Sequence, residues 1–289
     1  MKILITGANG MLAKAVRERF KEHELILTDV VGTELSLDIT NLKEVEEFVY
    51  LKKPDVIINC AAYTAVDKAE SEEDLARKIN ADGPRNLAIA ASKNNCKLVH
   101  ISTDYVFGGD LSLEEIYKED DPKAPVTAYG RTKLAGEEAI EENMNNFYIF
   151  RTAWLYGDGK NFVRTMLKFG KEKDEVKVVC DQHGSPTYAV DLADIIYQAL
   201  EKKIPYGIYH TTNLGFTTWY EFTKKIYELA GISCKVTPIT SEEFASAATS
   251  AAKRPANSML SKEKILNAGI AVPSWEDALE RYLKAEKEM

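Results

Sequence analysis

The chain of 289 residues carries no excess of basic residues: 37 Lys and Arg stand against 45 Asp and Glu, a net charge of −8. A nucleic-acid groove or an anionic-membrane surface needs a basic patch, so neither partner is expected. Cysteine is scarce, and Cys60, Cys96, Cys180 and Cys234 include no Cys-x-x-Cys spacing. That spacing fits buried thiols rather than a disulfide framework or a zinc site. His23, His100, His183 and His210 gather with none of them in sequence, so no metal is expected. No apolar run approaches the roughly 18 residues of a membrane span. Met1-Lys-Ile-Leu-Ile-Thr6 passes straight into a glycine turn, leaving no room for a signal peptide, and a cytoplasmic location is expected. Internal repeats and low-complexity tracts are missing too; the alanine-rich stretch from Ala245 to Ala252 is short and consistent with a helix. What remains, 45% hydrophobic and 28% charged residues, is an ordinary globular composition, able to bury a core in one or two domains. Acidic groups such as Glu44-Val-Glu-Glu47 and Glu137-Glu138 read as solvated helix faces.

What is present is a regular alternation of apolar runs and helical patterns. Lys2 to Thr6 is a short apolar run ending in Gly7-Ala-Asn-Gly10-Met11-Leu12-Ala13, after which Leu12, Ala15, Val16 and Phe20 recur at helical spacing. In a strand–turn–helix context Gly7 and Gly10 permit close backbone approach to a pyrophosphate, which the free amides of the helix N-terminus stabilise. Leu25 to Asp29 reads as a second strand. Asp29 follows the turn by about 20 residues, where a carboxylate can bind the hydroxyls of an adenosine ribose. It would repel a 2′-phosphate, so NADH is favoured over NADPH, with both possible. Asp38-Ile39 precedes a helix opened by Thr40 or Asn41 and reads equally as a cap or as an adenine contact.

Asp55 to Cys60 is a third buried strand, followed by Ala61-Ala62-Tyr63-Thr64, whose small residues let a flat ligand lie against the backbone. Helices around Glu72–Asn80 and Pro84–Asn94 lead to a fourth strand, in which Leu98 to Ile101 delivers Ser102, Thr103 and Asp104 at its carboxyl end. A polar loop from Phe107 to Val126 precedes a helix from Ala128 to Met144, and Phe147 to Trp154 is a fifth strand. Such alternation implies right-handed crossovers and a parallel sheet with ligands at the carboxyl ends of its strands. The expected class is therefore α/β, a Rossmann-type doubly wound parallel sheet. Beyond Trp154 come a strand at Val176–Cys180, a helix from Asp191 to Leu200, strands at Gly207–Thr211 and Lys235–Ile239, and helices at Thr218–Leu229 and Ser274–Lys284. The expected division is a dinucleotide-binding domain over 1–152 plus about 174–204, and a smaller, partly discontinuous substrate lobe over 153–173 plus about 205–289.

Tyr129 and Lys133 stand at i and i+4 of a helix, on one face. A lysine ammonium beside a phenol favours the phenolate and lowers its pKa, making the hydroxyl a usable proton donor or acceptor near neutrality. On spacing alone, Tyr-x-x-x-Lys is also a common solvated helix face.

Together, Thr6-Gly7-x-x-Gly10, the strand ending Ser-Thr-Asp and Tyr129-x-x-x-Lys133 resemble an extended short-chain dehydrogenase/reductase. Asn59-Cys-Ala-Ala-Tyr-Thr-Ala-Val-Asp-Lys-Ala-Glu70, Ser102-Thr-Asp-Tyr-Val-Phe107, Arg151-Thr-Ala-Trp-Leu-Tyr-Gly157 and Asp181-Gln-His-Gly-Ser-Pro-Thr187 narrow the likeness to the dTDP-4-dehydrorhamnose reductase family. The resemblance implies reduction of a C4 ketone on a dTDP-sugar, with Tyr129 as catalytic acid, Lys133 binding the nicotinamide ribose and tuning that tyrosine, and Thr103 hydrogen-bonding the reacting oxygen. It implies that Asp104, Trp154 and Arg254 contact the sugar nucleotide. Gly7, Gly10, Met11 and Leu12 would line the pyrophosphate turn, and Asp29, Asp38, Ile39, Ala61, Ala62 and Tyr63 the rest of the dinucleotide.

The chain departs from the family pattern at Ala13, in the third glycine position, at Met11, where glutamine is usual, and after Phe107, where an aspartate is usual. Ala15 replaces a glutamate that some relatives associate with a metal-bridged dimer, so a monomer or weak homodimer is expected. Two other functions stay open at this point: another nucleotide-sugar reductase or epimerase of the superfamily, or a non-catalytic dinucleotide-binding regulatory subunit like that of methionine adenosyltransferase.

Overall fold

A computed structural model describes residues 1–247 and 252–288. Strands β1 (Lys2–Thr6), β2 (Glu24–Asp29), β3 (Leu35–Ser36), β4 (Val56–Asn59), β5 (Lys97–Thr103) and β6 (Phe147–Thr152) join the strand Gly207–His210 in one seven-stranded sheet. Its order is Gly207–His210, β6, β5, β4, β1, β2, β3, and every pairing is parallel. The chain starts in the middle, runs outward to β3, then crosses to β4 on the other side. That reversal leaves a crevice at the carboxyl ends of β1 and β4.

A sheet buried on both faces needs apolar side chains pointing both ways. Within β1, Ile3 and Ile5 pack with Val16 of α1 (Met11–Arg19) and Ile195 of the helix Ala189–Lys202. Leu4, pointing the opposite way, packs with Val45 of α2 (Leu42–Lys52), Leu87 of the helix Gly83–Lys93 and Ile140 of the helix Ala128–Asn143. Ala13, the departure from the glycine pattern, is fully buried in the first of these cores.

The two helices expected between β4 and β5 are one continuous run: Glu73–Arg77 passes through a π-helical turn, Lys78–Asp82, into Gly83–Lys93. The wide turn presents Asn80, whose Oδ1 accepts Tyr63 N–H at 2.8 Å and whose Nδ2 reaches Tyr63 O at 3.1 Å and Thr132 Oγ1 at 3.2 Å. One side chain thus ties the segment after β4 to the helix that carries Tyr129 and Lys133. Ser241–Ala247 is helical, while 248–251 of the alanine-rich stretch lie outside the described residues.

Strand pairing departs from the expected division in two places. Glu175–Val179, expected with the dinucleotide domain, pairs in parallel with Lys235–Ile239, beside a separate core built from the helices Phe162–Glu172, Trp219–Ala230 and Trp275–Glu288. Gly207–His210, expected in the lobe, is the edge strand beside β6. A run of four or five residues encodes an extended conformation but not the partner it meets, and that choice is made by tertiary packing.

Glu137 also departs from expectation. Rather than a solvated face, its side chain is 1% exposed and pairs with Arg151 of β6, 0% exposed, at 2.7 Å from Nη2 to Oε2. Arg151 Nε adds contacts of 3.0 and 3.2 Å to the same carboxylate, and Nη1 donates to Glu119 O at 3.0 Å. Removing one partner strands a buried charge, at a cost of about 3–5 kcal/mol, whereas apolar replacement of both can be nearly neutral. Arg151→Met alone should therefore lower the urea unfolding free energy by about that amount, and R151M with Glu137→Leu should recover most of it; equal losses in the single and double variants would contradict this account.

Candidate active site

The crevice between β1 and β4 is a cavity of about 420 Å³. Among the residues expected in the site, Gly10, Met11, Leu12, Ala61, Ala62, Thr103, Asp104, Tyr129, Lys133 and Trp154 all line it. Gly7 sits at φ +64°, and a Cβ there would lie 2.6 Å from Ala61 N. The requirement for glycine thus comes from the close approach of the chain leaving β4. Gly10 N-caps α1 without a side-chain hydrogen bond, so the helix entrance at Met11 and Leu12 presents amides and positive dipole to the cavity. That is a cradle suited to a pyrophosphate.

The opposite wall comes from β5 and the helix Ala128–Asn143. Thr127 caps that helix by accepting Gly130 N–H at 3.0 Å. A Cβ on Gly130 would lie 2.2 Å from Tyr105 O, so the absence of a side chain lets the helix press against the turn that follows β5. The rings of Tyr129 and Tyr105 meet edge to face at 5.5 Å. Thr103 Oγ1 donates to Asp104 Oδ1 at 2.9 Å, and Ser258 Oγ donates to Asp104 Oδ2 at 2.6 Å. Lys133 Nζ donates to Ile101 O at 2.6 Å and lies 3.2 Å from His100 Nε2.

Burial governs the titration of all these groups. It pushes the Tyr129 phenol up to about 12, with the Asp104 charge acting the same way and Thr103 opposing. It drives Lys133 down to about 8, against the pull of Glu137, raises Asp104 to about 6 against its hydrogen bonds, and holds His100 well below the ordinary imidazole range. The lowered tyrosine pKa expected from the lysine is therefore not found. Loss of solvent and the Asp104 charge set the direction for the phenol, and the same desolvation favours the neutral amine of Lys133.

Trp154 adopts φ +48°, unusual for a bulky residue, and stacks on Trp219 with ring centroids 3.8 Å apart. It also lines a second cavity, of about 680 Å³, whose wall includes Phe162, Met166, Val178, Trp219 and Arg254. Tyr105 and Trp154 line both cavities, which adjoin at that point. Arg254 Nη2 contacts Asp67 Oδ2 at 2.9 Å.

The remaining expected residues lie off the main cavity. The Asp29 carboxylate accepts Asn9 N–H at 3.1 Å and Val30 N–H at 2.8 Å at the end of β2. Asp38 accepts both Thr40 N–H, at 2.9 Å, and Thr40 Oγ1, closing a turn ahead of α2, which is capped by Asn41. Ile39 is 5% exposed, and its Cδ1 fills the space above Gly83. Tyr63 is held by Asn80 and donates its hydroxyl to Glu72. Sequence reasoning missed Asn59 and His100, buried behind Lys133, as well as Ser258 and Trp219. A histidine inside an apolar strand could have flagged the first pair; nothing local marks the second.

A family model described as RmlD substrate binding domain matches residues 1–288. The dTDP-4-dehydrorhamnose reductase of Salmonella typhimurium is 40% identical over 98% of this chain and 97% of its own length. A crystal structure of a Clostridium acetobutylicum dTDP-4-dehydrorhamnose reductase superimposes with a TM-score of 0.93 at 47% identity, over 99% of this chain and 100% of that one. A Bacillus anthracis dTDP-4-dehydrorhamnose reductase, solved in complex with NADP, gives 0.91 at 44% identity, over the same shares. Matched from end to end by the family model and by these relatives, the chain belongs to the dTDP-4-dehydrorhamnose reductase family.

Proposed function

We propose that the chain reduces the C4 ketone of dTDP-4-dehydro-L-rhamnose to dTDP-L-rhamnose, using a nicotinamide dinucleotide. The observation that carries the reading is the meeting of Thr103, Tyr129 and Lys133 with the Gly10 helix entrance around one cavity. A binding module has no need of a proton donor beside its dinucleotide cradle. When bound, the reduced nicotinamide supplies the hydride. Thr103 turns its hydroxyl from Asp104 to donate to the carbonyl oxygen, and Tyr129 protonates the alkoxide that develops there. A phenol raised to about 12 is fully protonated at neutral pH, the state a reduction needs. Lys133 holds the nicotinamide ribose. Asp104 and Trp154 flank the sugar, and Arg254 and the apolar wall of the larger cavity take the nucleotide.

NADH and NADPH oxidation measured with dTDP-4-dehydro-L-rhamnose and with its UDP counterpart tests the reading. The dTDP sugar should be turned over, and Tyr129→Phe should lose roughly 10²–10⁴-fold in kcat while binding cofactor as before. Inertness toward the dTDP sugar, or a near-normal rate in Y129F, would overturn it.

NADH is the preferred reductant on this reading. The Asp29 carboxylate stands at the end of β2, and the following Val30-Val-Gly-Thr-Glu34 offers neither lysine nor arginine to a 2′-phosphate. kcat/KM for NADH should exceed that for NADPH, and Asp29→Asn should shrink the ratio roughly tenfold, as expected for a charge-assisted hydrogen bond of about 1.5 kcal/mol. A ratio that D29N leaves unchanged would remove Asp29 from the cofactor site.

Asp104 links this site to stability. Its folded pKa lies above the ordinary carboxyl value, so the folded state is favoured most below about pH 4 and loses that contribution as pH rises toward 6. Asp104→Asn removes the ionisation. Its unfolding free energy relative to the parent chain should be higher at pH 8 than at pH 4.5, by on the order of 1–3 kcal/mol in urea titrations; a difference independent of pH would show that the carboxyl is not titrating in this range.

A further inference from the structure

The hydrogen bonds behind Lys133 have only one consistent direction. Ala61 N–H lies 3.1 Å from Asn59 Oδ1, and a backbone amide can only donate, so that atom is the carboxamide oxygen. Thr6 Oγ1 donates to the same oxygen at 2.7 Å. Asn59 Nδ2 therefore faces His100 Nδ1, at 3.0 Å, as a donor. His100 Nδ1 must be bare, and a neutral ring then carries its proton on Nε2. That N–H points at Lys133 Nζ, 3.2 Å away. An ammonium cannot accept it; an amine can, while still donating to Ile101 O at 2.6 Å.

We propose that His100, fixed as its Nε2–H tautomer by Asn59, is a positioning residue that biases Lys133 toward the amine in the cofactor-free protein. The inference deepens the reading of Lys133 as the ribose-binding lysine and rests on it. Protonating Lys133 would set two donors against each other at His100 Nε2, or force the ring to move its proton to Nδ1, opposite the Asn59 amide. Either course costs a hydrogen bond among groups almost wholly buried, since Asn59, His100 and Lys133 are all 2% exposed or less. The other groups around the amine do not supply this bias. From β5 it meets His100 and the Ile101 carbonyl; from its own helix the charge acting on it is Glu137, which favours the ammonium and is already paired with Arg151. Burial lowers the Lys133 pKa, and burial with the neighbouring Lys133 charge keeps the ring neutral; the tautomer lock acts in the same direction as the burial of the lysine. An amine offers the nicotinamide ribose an acceptor as well as donors, which an ammonium cannot.

Nitrogen NMR of histidine-labelled protein reads the tautomer, and carbon NMR of ε-labelled lysine reads the Lys133 titration, both without turnover. His100 should be Nε2–H in the parent chain and Nδ1–H in Asn59→Asp, where a carboxylate accepts from the ring. In His100→Gln the amide can turn its oxygen to the ammonium, and the Lys133 titration should rise by about one unit, a tenfold change in proton affinity. The limb of the kcat pH profile belonging to Lys133 should move with it. An Nδ1–H ring in the parent chain, or a titration that H100Q leaves in place, overturns the inference; should H100Q fail to fold, the tautomers of the parent and N59D decide alone. Lack of ketone reduction would instead count against the proposed function and leave these readings intact.

Discussion

The ion pair between Arg151 and Glu137 is the contact on which the site most depends. Arg151 stands in β6, in register with Ser102 one residue short of the Thr103 position on β5, and Glu137 lies one helical turn beyond Lys133. Their bidentate contact fixes the height and rotation of the helix Ala128–Asn143 against the sheet. The same guanidinium takes Glu119 O, and the Glu119 carboxylate accepts His210 N–H at 3.0 Å. One charged cluster therefore holds the reactive helix, the loop that follows Phe107 and the edge strand Gly207–His210. Buried pairs are weak contributors to net stability, but their geometry is unforgiving, and this one determines where Tyr129 and Lys133 meet Thr103.

Dryness is the second constraint and follows from the first. Pressing the helix against β5 and the Tyr105 turn removes Lys133 from water, so its cation is opposed rather than welcomed. Isolated Tyr-Lys pair logic makes the lysine a cation that acidifies its neighbour. In the folded chain the lysine is driven toward neutrality and the phenol stays firmly protonated. On the proposed reading that arrangement suits a reduction, in which the tyrosine gives a proton rather than takes one.

The parallel sheet, the glycine turn and the i, i+4 pair were legible because each is written locally: short continuous apolar runs, a glycine at a crowded turn, two residues on one helix face. What was not legible depends on partners far away in sequence. Glu137 looks like any helix-surface glutamate until Arg151 is brought beneath it. Ser258 reaches Asp104 across 154 positions, and Trp219 meets Trp154 only once the lobe has folded. Glu175–Val179 and Gly207–His210 read correctly as strands, yet their assignment to the wrong halves shows that extended segments carry little information about which edge they join.

Trp154 is where the two halves become one site. It follows β6 directly, so the sheet sets its position, while its ring stacks on Trp219, which opens a helix of the lobe. Holding a tryptophan at φ +48° costs on the order of 1–3 kcal/mol, which the stacked ring and the Thr187 N–H donated to Trp154 O at 3.2 Å offset. In return the indole forms a shared wall of both cavities. Tyr129 and the Gly10 helix entrance lie on one side of it and the apolar wall of the larger cavity on the other, so a ligand spanning both must pass this ring. The residue that joins the lobe to the sheet thus also lines both cavities.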